Sequence, residues 1–183
     1  MIIACDVDNV LNNLQDTVIN LFNQRYHTEY VIDDFHDYDI SNTLSSENAA
    51  IMKEMYSESG IYDQVKPLKL AQKGLETLVR SGHLVYLVTD AIPSTFYEKV
   101  EWLHRYYPFI PESNIISMKH KQLFKCDVMI EDNLDNLLNG HHYERICLDY
   151  EWNRNVSDYI YGIYRCHNWN EIVAAVNKIC EEE

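Results

Sequence analysis

Ile2-Ile3-Ala4-Cys5-Asp6-Val7-Asp8-Asn9-Val10-Leu11 begins as a short apolar run and ends in two aspartates one residue apart. Ile2 to Cys5 reads as a strand buried on both faces, of the kind found inside a parallel sheet. Such a strand delivers Asp6 to its C-terminal edge, where open α/β sheets bind their ligands. Along an extended chain Asp6 and Asp8 turn the same way, with Val7 pointing elsewhere. Crowded carboxylates repel each other, so the pair makes most sense with a cation joining them. Taken alone, D-x-D is equally well a polar loop at a strand end.

Outward from this stretch, the pattern alternates. Leu14, Val18, Leu21 and Phe22 recur at helical spacing to about Tyr26. A polar, acidic and aromatic run follows, and then a helix capped by Ser45 or Ser46, with Glu47 in its first turn and Gly60 as its breaker. From Pro67 the pattern is regular. A stripe of Leu68, Ala71, Leu75, Leu78 and Val79 stops at Gly82, and Leu84–Val88 is a buried strand ending in Thr89-Asp90. Thr95-x-x-Glu98 has the form of a capping box ahead of Phe96, Val100, Leu103 and Tyr107. Strands at 114–117, 127–130 and 145–148 follow, the last two ending in Glu131-Asp132 and Asp149. Residues 150–166 show no clear period, and Asn168-x-x-Glu171 caps a last helix. Strand–helix alternation predicts an α/β, doubly wound, parallel five-stranded sheet with right-handed crossovers. The expected organisation is a core of residues 1–12 and 68–183, with a small helical insertion, 13–67, after the first strand.

Composition narrows the function classes. The 183 residues suffice for one sizeable core, with 46% apolar and 24% charged residues. Twenty-nine acidic residues against fifteen basic give a formal charge of −14, a field that repels nucleic-acid polymers. A small anion is still accepted where a cation or a local lysine reverses that field. No run is long and apolar enough for a membrane span, and no basic-then-apolar leader opens the chain; a cytoplasmic, non-membrane protein is the expectation. Five cysteines without C-x-x-C spacing read as small buried thiols in a reducing compartment, and the eight histidines form no zinc pattern.

Four sets of polar residues fall at or just beyond strand ends: Asp6 with Asp8, Thr89, Lys121, and Glu131 with Asp132. Each has a bland reading as a turn, a cap or a solvated lysine. Together they have a coherent use. Oxygens from Asp6, Asp132, the Asp8 carbonyl and Glu131 suit Mg²⁺. Thr89 and Lys121 then bind phosphate oxygens, Asp6 attacks phosphorus, and Asp8 carries the proton, its carboxyl left free for that task.

This set resembles the haloacid dehalogenase superfamily of phosphohydrolases over nearly the whole chain. Asp6-Val7-Asp8-Asn9-Val10 fits its D-x-D-x-[TV] motif, Leu87-Val88-Thr89 its second, Lys121 its third, and Ile130-Glu131-Asp132 its fourth. The run Lys121…Asp127-Val128-Met129-Ile130-Glu131-Asp132, the segment Val31–Asp39 and the ending Arg165…Trp169-Asn170-Glu171-Ile172 are similar to the 5′(3′)-deoxyribonucleotidases. The resemblance implies a Rossmann-like sheet with a helical cap after the first strand. It also implies a Mg²⁺-dependent phosphomonoesterase acting on nucleoside monophosphates through an aspartyl-phosphate. Two departures stand out: Glu131 replaces an aspartate, and Asp90 follows Thr89 where that family has a small or neutral residue. Phe22, Phe35, Tyr38 and Tyr62 are candidates either to stack on a base or to fill the cap core.

Alternatives are a phosphatase for a sugar phosphate or other small phosphoester, and, from another class, a phospho-acceptor regulatory domain. The latter lacks an acid two residues after its acceptor, unlike Asp8. A calcium loop is disfavoured because Leu11 stands where an EF-hand needs glycine. The sequence leaves oligomeric state open and is compatible with a dimer.

Overall fold

The computed structural model describes residues 1–182. Six parallel strands form one sheet: β1 (Ile2–Cys5), β2 (Leu84–Thr89), β3 (Ile115–Ser117), β4 (Val128–Glu131), β5 (Glu144–Leu148) and β6 (Ile163–Cys166). Their spatial order is β3-β2-β1-β4-β5-β6. Alternation sorts the side chains: Ile3, Cys5, Val85, Leu87, Val128 and Ile130 enter the larger core, while Ala4, Val88, Met129 and Cys147 enter a smaller one on the opposite face. Both faces are therefore covered, which is why the strands read as near-continuous apolar runs.

The sixth strand corrects the expectation of five. β6 lies at the sheet edge beside β5, with Cys147 opposite Arg165. Its interior residues are Tyr164 and Arg165, so no apolar run marks it. Arg165 donates to Asp158, Asn153 and Asp149, and these tertiary partners hold a polar strand in place.

Among the described residues the α-helices are α1 (Leu14–Tyr26), α2 (Ser46–Met55), α3 (Ala71–Arg80), α4 (Phe96–Tyr106), α5 (Leu134–Leu138), α6 (Asp158–Tyr161) and α7 (Trp169–Glu182). Ser45 caps α2, its hydroxyl accepting from the Asn48 N–H at 3.2 Å. Asn168 caps α7 by accepting from the N–H groups of Asn170 and Glu171. The Thr95–Glu98 capping box does not form, because Thr95 makes no capping bond. Glu98 instead accepts from the Gly60 N–H at 2.9 Å and the Ser59 hydroxyl at 2.8 Å. Gly60 takes a φ of +81°, so the turn before it presents a donor that a local pattern does not reveal.

The stretches around Asn12 and Pro67 run side by side. The Asn13 N–H donates to the Lys66 carbonyl and the Leu68 N–H to the Leu11 carbonyl. The buried residues between these stretches, Phe22, Phe35 and Met52 included, share one apolar cluster with the sheet.

One contact ties this framework to the first loop. Gly74 of α3 faces Trp169 of α7, and a Cβ there would lie 2.5 Å from the indole. The indole N–H donates to the Val10 carbonyl at 2.8 Å. Gly74→Ala should therefore destabilise the fold by about 1–3 kcal/mol through overpacking. Lys73→Ala, one position away on the exposed side, should stay within about 0.5 kcal/mol. Chemical denaturation of both variants measures this difference.

Candidate active site

In the sheet order, β1 stands between β2 and β4, so successive crossovers leave it in opposite directions. At the carboxyl ends of these strands the following loops part and open a crevice. Asp6 leaves β1 into it, Thr89 ends β2, and Glu131-Asp132 end β4. Lys121 comes from a short 3₁₀ turn, residues 121–123, between β3 and β4. All of these side chains are buried, Lys121 included.

The loop after β1 is held at three successive carbonyls. Tyr150 donates to that of Asn9, the Trp169 indole to that of Val10, and Tyr107 to that of Leu11. Asn9 takes a left-handed φ of 60°, a conformation asparagine tolerates better than most residues. Its side chain caps the start of α1 through the Gln15 N–H and donates to Asp132 at 3.3 Å. Asn12 sits beneath, accepting from the Asn9 and Leu14 N–H groups and donating to Asp8. The loop is thus fixed before any ligand arrives.

Two charge clusters result. In the first, oxygens of Asp6, Glu131 and Asp132 lie within 4.8 Å of one another. The Lys121 ammonium bridges Asp6 at 2.5 Å and Glu131 at 2.6 Å. Burial and then Glu131 push the Asp6 carboxyl up to about 7, and burial with Glu131 and Asp6 raises Asp132 well above the usual range. Burial opposes the Lys121 charge, but Asp6 and Glu131 outweigh it and hold the ammonium above an ordinary lysine. Three carboxylates share one ammonium, so two negative charges stay uncompensated when all ionise. An all-oxygen set with that deficit fits a hard divalent cation. Glu131 has the least free capacity: its oxygens already accept from Lys121, Asn136 and the N–H groups of Asp132 and Asn133.

In the second cluster Asp8 is not free, which corrects the expectation of an unengaged carboxyl. It accepts from Lys99 at 2.7 Å, and from Asn12 and Tyr62 at 3.0 Å each. Burial alone would raise its pKa, but the Lys99 charge and these hydrogen bonds bring it below the usual carboxylate value. Lys99 also donates to the Thr89 hydroxyl at 2.8 Å, joining the first and second motifs. The sequence reading missed Lys99, although a signal existed. With Phe96, Val100 and Leu103 it occupies the apolar stripe of α4, and a lysine there is 2% exposed only because it has partners.

Beside this second cluster lies a cavity of about 240 Å³. Of the four aromatic candidates, Tyr38 and Tyr62 line it, together with Tyr56 and Trp152, which the sequence reading did not single out. Phe22 and Phe35 do not; both are fully buried in the core.

Residues 1–179 match the family model described as 5′ nucleotidase, deoxy (Pyrimidine), cytosolic type C protein. The chain belongs to this nucleotidase family. It is 31% identical over 176 residues to the 5′(3′)-deoxyribonucleotidase of Bacillus subtilis, covering 93% of this chain and 95% of that protein. To the 5′(3′)-deoxyribonucleotidase of Clostridium acetobutylicum it is 26% identical, with coverages of 98% and 94%. In fold it is similar to a haloacid dehalogenase-like hydrolase from Streptococcus pneumoniae, at a TM-score of 0.65 and 14% identity over 95% of this chain and 97% of that one. A nucleotidase of this family is a phosphoric monoester hydrolase, and the regulatory phospho-acceptor alternative is set aside. No helix among the described residues is long and apolar enough to cross a membrane.

A divalent cation entering the first cluster must displace protons that burial and mutual repulsion hold on Asp6 and Asp132. Its apparent affinity should therefore rise between pH 6 and pH 8, by about tenfold for one displaced proton per pH unit in the protonated range. Calorimetric titration with Mg²⁺ in buffers of different ionisation enthalpy measures both affinity and proton release. A pH-independent affinity without proton release would contradict the assignment.

Proposed function

We propose that the chain is a Mg²⁺-dependent 5′(3′)-nucleotidase that hydrolyses nucleoside monophosphates through an aspartyl-phosphate on Asp6. The observation that carries this reading is the gathering of Asp6, Asp8, Thr89, Lys121 and Asp132 at one sheet edge in a chain of this family. Residues 13–67 serve as a cap over a core of 1–12 and 68–183, and the cavity between them takes the nucleoside. Tyr38, Tyr56, Tyr62 and Trp152 supply its aromatic wall.

The cation would be held by Asp6, Asp132 and the Asp8 carbonyl, with Glu131 as the remaining oxygen source, and when bound it offsets their charge and polarises a phosphate oxygen. Everything else is done by the chain. Thr89, Lys99 and Lys121 bind the phosphate oxygens, since Lys121 contacts Asp6 and Lys99 contacts Thr89. The Asp6 carboxylate attacks phosphorus, and the bond from phosphorus to the ester oxygen breaks. Asp8 protonates that oxygen, then takes a proton from water as the water attacks the phosphoryl group on Asp6.

The Lys99 pairing gives Asp8 a switch for these two duties. With no phosphate present, Lys99 keeps Asp8 ionised. An arriving dianion draws Lys99 toward its own oxygens, raises the Asp8 pKa and lets it hold the proton that the leaving oxygen needs. After the ester leaves, Asp8 is again the base.

A phosphate-release screen across nucleoside monophosphates and sugar phosphates, with and without Mg²⁺, tests the substrate. Nucleotides should be hydrolysed only with the cation; activity on one sugar phosphate against a flat nucleotide panel would overturn the substrate while leaving the chemistry. Asp6→Asn should lose at least about a thousandfold in kcat, because an amide cannot serve as this nucleophile. Asp8→Asn should lose about 10²–10⁴-fold. Full turnover by Asp6→Asn would contradict the mechanism.

A further inference from the structure

Five charged residues line the cavity: Asp8, Asp37, Lys53, Asp90 and Lys99. Four are engaged. Asp8 and Lys99 hold each other. Lys53 donates to Asp39 and Ser41 at 2.8 and 2.7 Å. Asp37 accepts from the Asp39 N–H and the Asn42 amide, both at 2.8 Å. Asp90 alone has no hydrogen-bond or ion-pair partner among the described residues, and it is exposed at the cavity wall. It also follows Thr89 directly in the chain, and the Thr89 hydroxyl touches Lys99.

A carboxylate one residue from a phosphate-binding threonine works against binding a dianion, so it calls for a use. Asp90 lines the same cavity as Asp8 and Lys99. We infer that Asp90 sets the charge selectivity of this site. It accepts hydrogen bonds from hydroxyl or amino groups on the non-phosphate part of the substrate. It also opposes each further negative charge, so a singly phosphorylated ester enters and a bisphosphate is rejected. The same repulsion loosens inorganic phosphate after hydrolysis. In a water-filled mouth the effect is about threefold per unit charge, and so about five- to tenfold for a dianionic phosphate. The inference rests on the phosphomonoesterase reading of this cavity and adds the class of ester that it takes.

The test compares wild type, Asp90→Asn and Asp90→Glu on whichever phosphomonoester the wild type hydrolyses. Two readouts are used: inhibition by inorganic phosphate, and kcat/KM for a nucleoside 3′,5′-bisphosphate relative to its 5′-monophosphate. Asp90→Asn should tighten phosphate inhibition about fivefold and raise the bisphosphate ratio about five- to tenfold at low salt. Both changes should shrink in about 0.5 M salt, and Asp90→Glu should behave as wild type. A merely structural role would alter neither the ratio nor its salt dependence. Hydrolysis with phosphate inhibition and ratio unchanged in Asp90→Asn, or changed equally at all salt concentrations, overturns the inference and leaves the activity standing. A wild type that hydrolyses sugar phosphates but no nucleotide overturns the nucleotide reading, and phosphate inhibition then decides the role of Asp90. Hydrolysis of no phosphomonoester overturns both.

Discussion

Three buried carboxylates facing one ammonium at the ends of β1 and β4 are the constraint to which the rest of this structure answers. Asp6, Glu131 and Asp132 cannot all ionise in that space without help, and burial with mutual repulsion raises both Asp6 and Asp132. The fold nevertheless drives them together, because strand pairing sets Cys5 against Ile130 and leaves the acids at adjacent ends. Lys121 answers part of the deficit and a cation would answer the rest. The loop around Asp6 can bear this repulsion because Tyr150, Trp169 and Tyr107 pin its carbonyls from three different parts of the chain. A preorganised site of this kind does not reorganise at the moment of reaction.

The second pole is Lys99. A lysine buried in the apolar stripe of α4 is costly unless paired, and pairing with Asp8 and Thr89 connects the β1 loop to the end of β2. It makes the two acids of the first motif unlike each other. Asp6 is raised beside other carboxylates, whereas Asp8 is lowered beside an ammonium. Divergent environments of this sort commonly separate a nucleophile from an acid–base group. Glu98, the residue before Lys99, holds Gly60, so α4 links the charge pair to the turn before Ile61.

What was legible in the sequence was what depends on local pattern. The buried strands β1, β2, β4 and β5, the caps at Ser45 and Asn168, and the order of the four polar motifs all follow from periodicity and spacing. What was not legible depends on tertiary partners. β6 is polar inside and exists because Arg165 meets Asp158 and Asn153. Glu98 has the spacing of a capping box, yet a distant glycine offers the better donor. Lys99 reads as an ordinary helical lysine until Asp8 appears across from it. Phe22 and Tyr62 look alike in the chain, but only the latter reaches the cavity.

The most direct test of the account is to find where the phosphoryl group resides between its two transfers. With an aryl phosphate, whose phenolate leaves without a proton, the Asp8→Asn variant should form the intermediate and hydrolyse it slowly, so the intermediate should accumulate. Rapid acid quench of that variant with this ester and Mg²⁺, followed by peptide mapping, locates the group. The account predicts an alkali-labile phosphoryl group on Asp6 in close to stoichiometric amount. Phosphate release with no covalent label, or a label on any other residue, would contradict it.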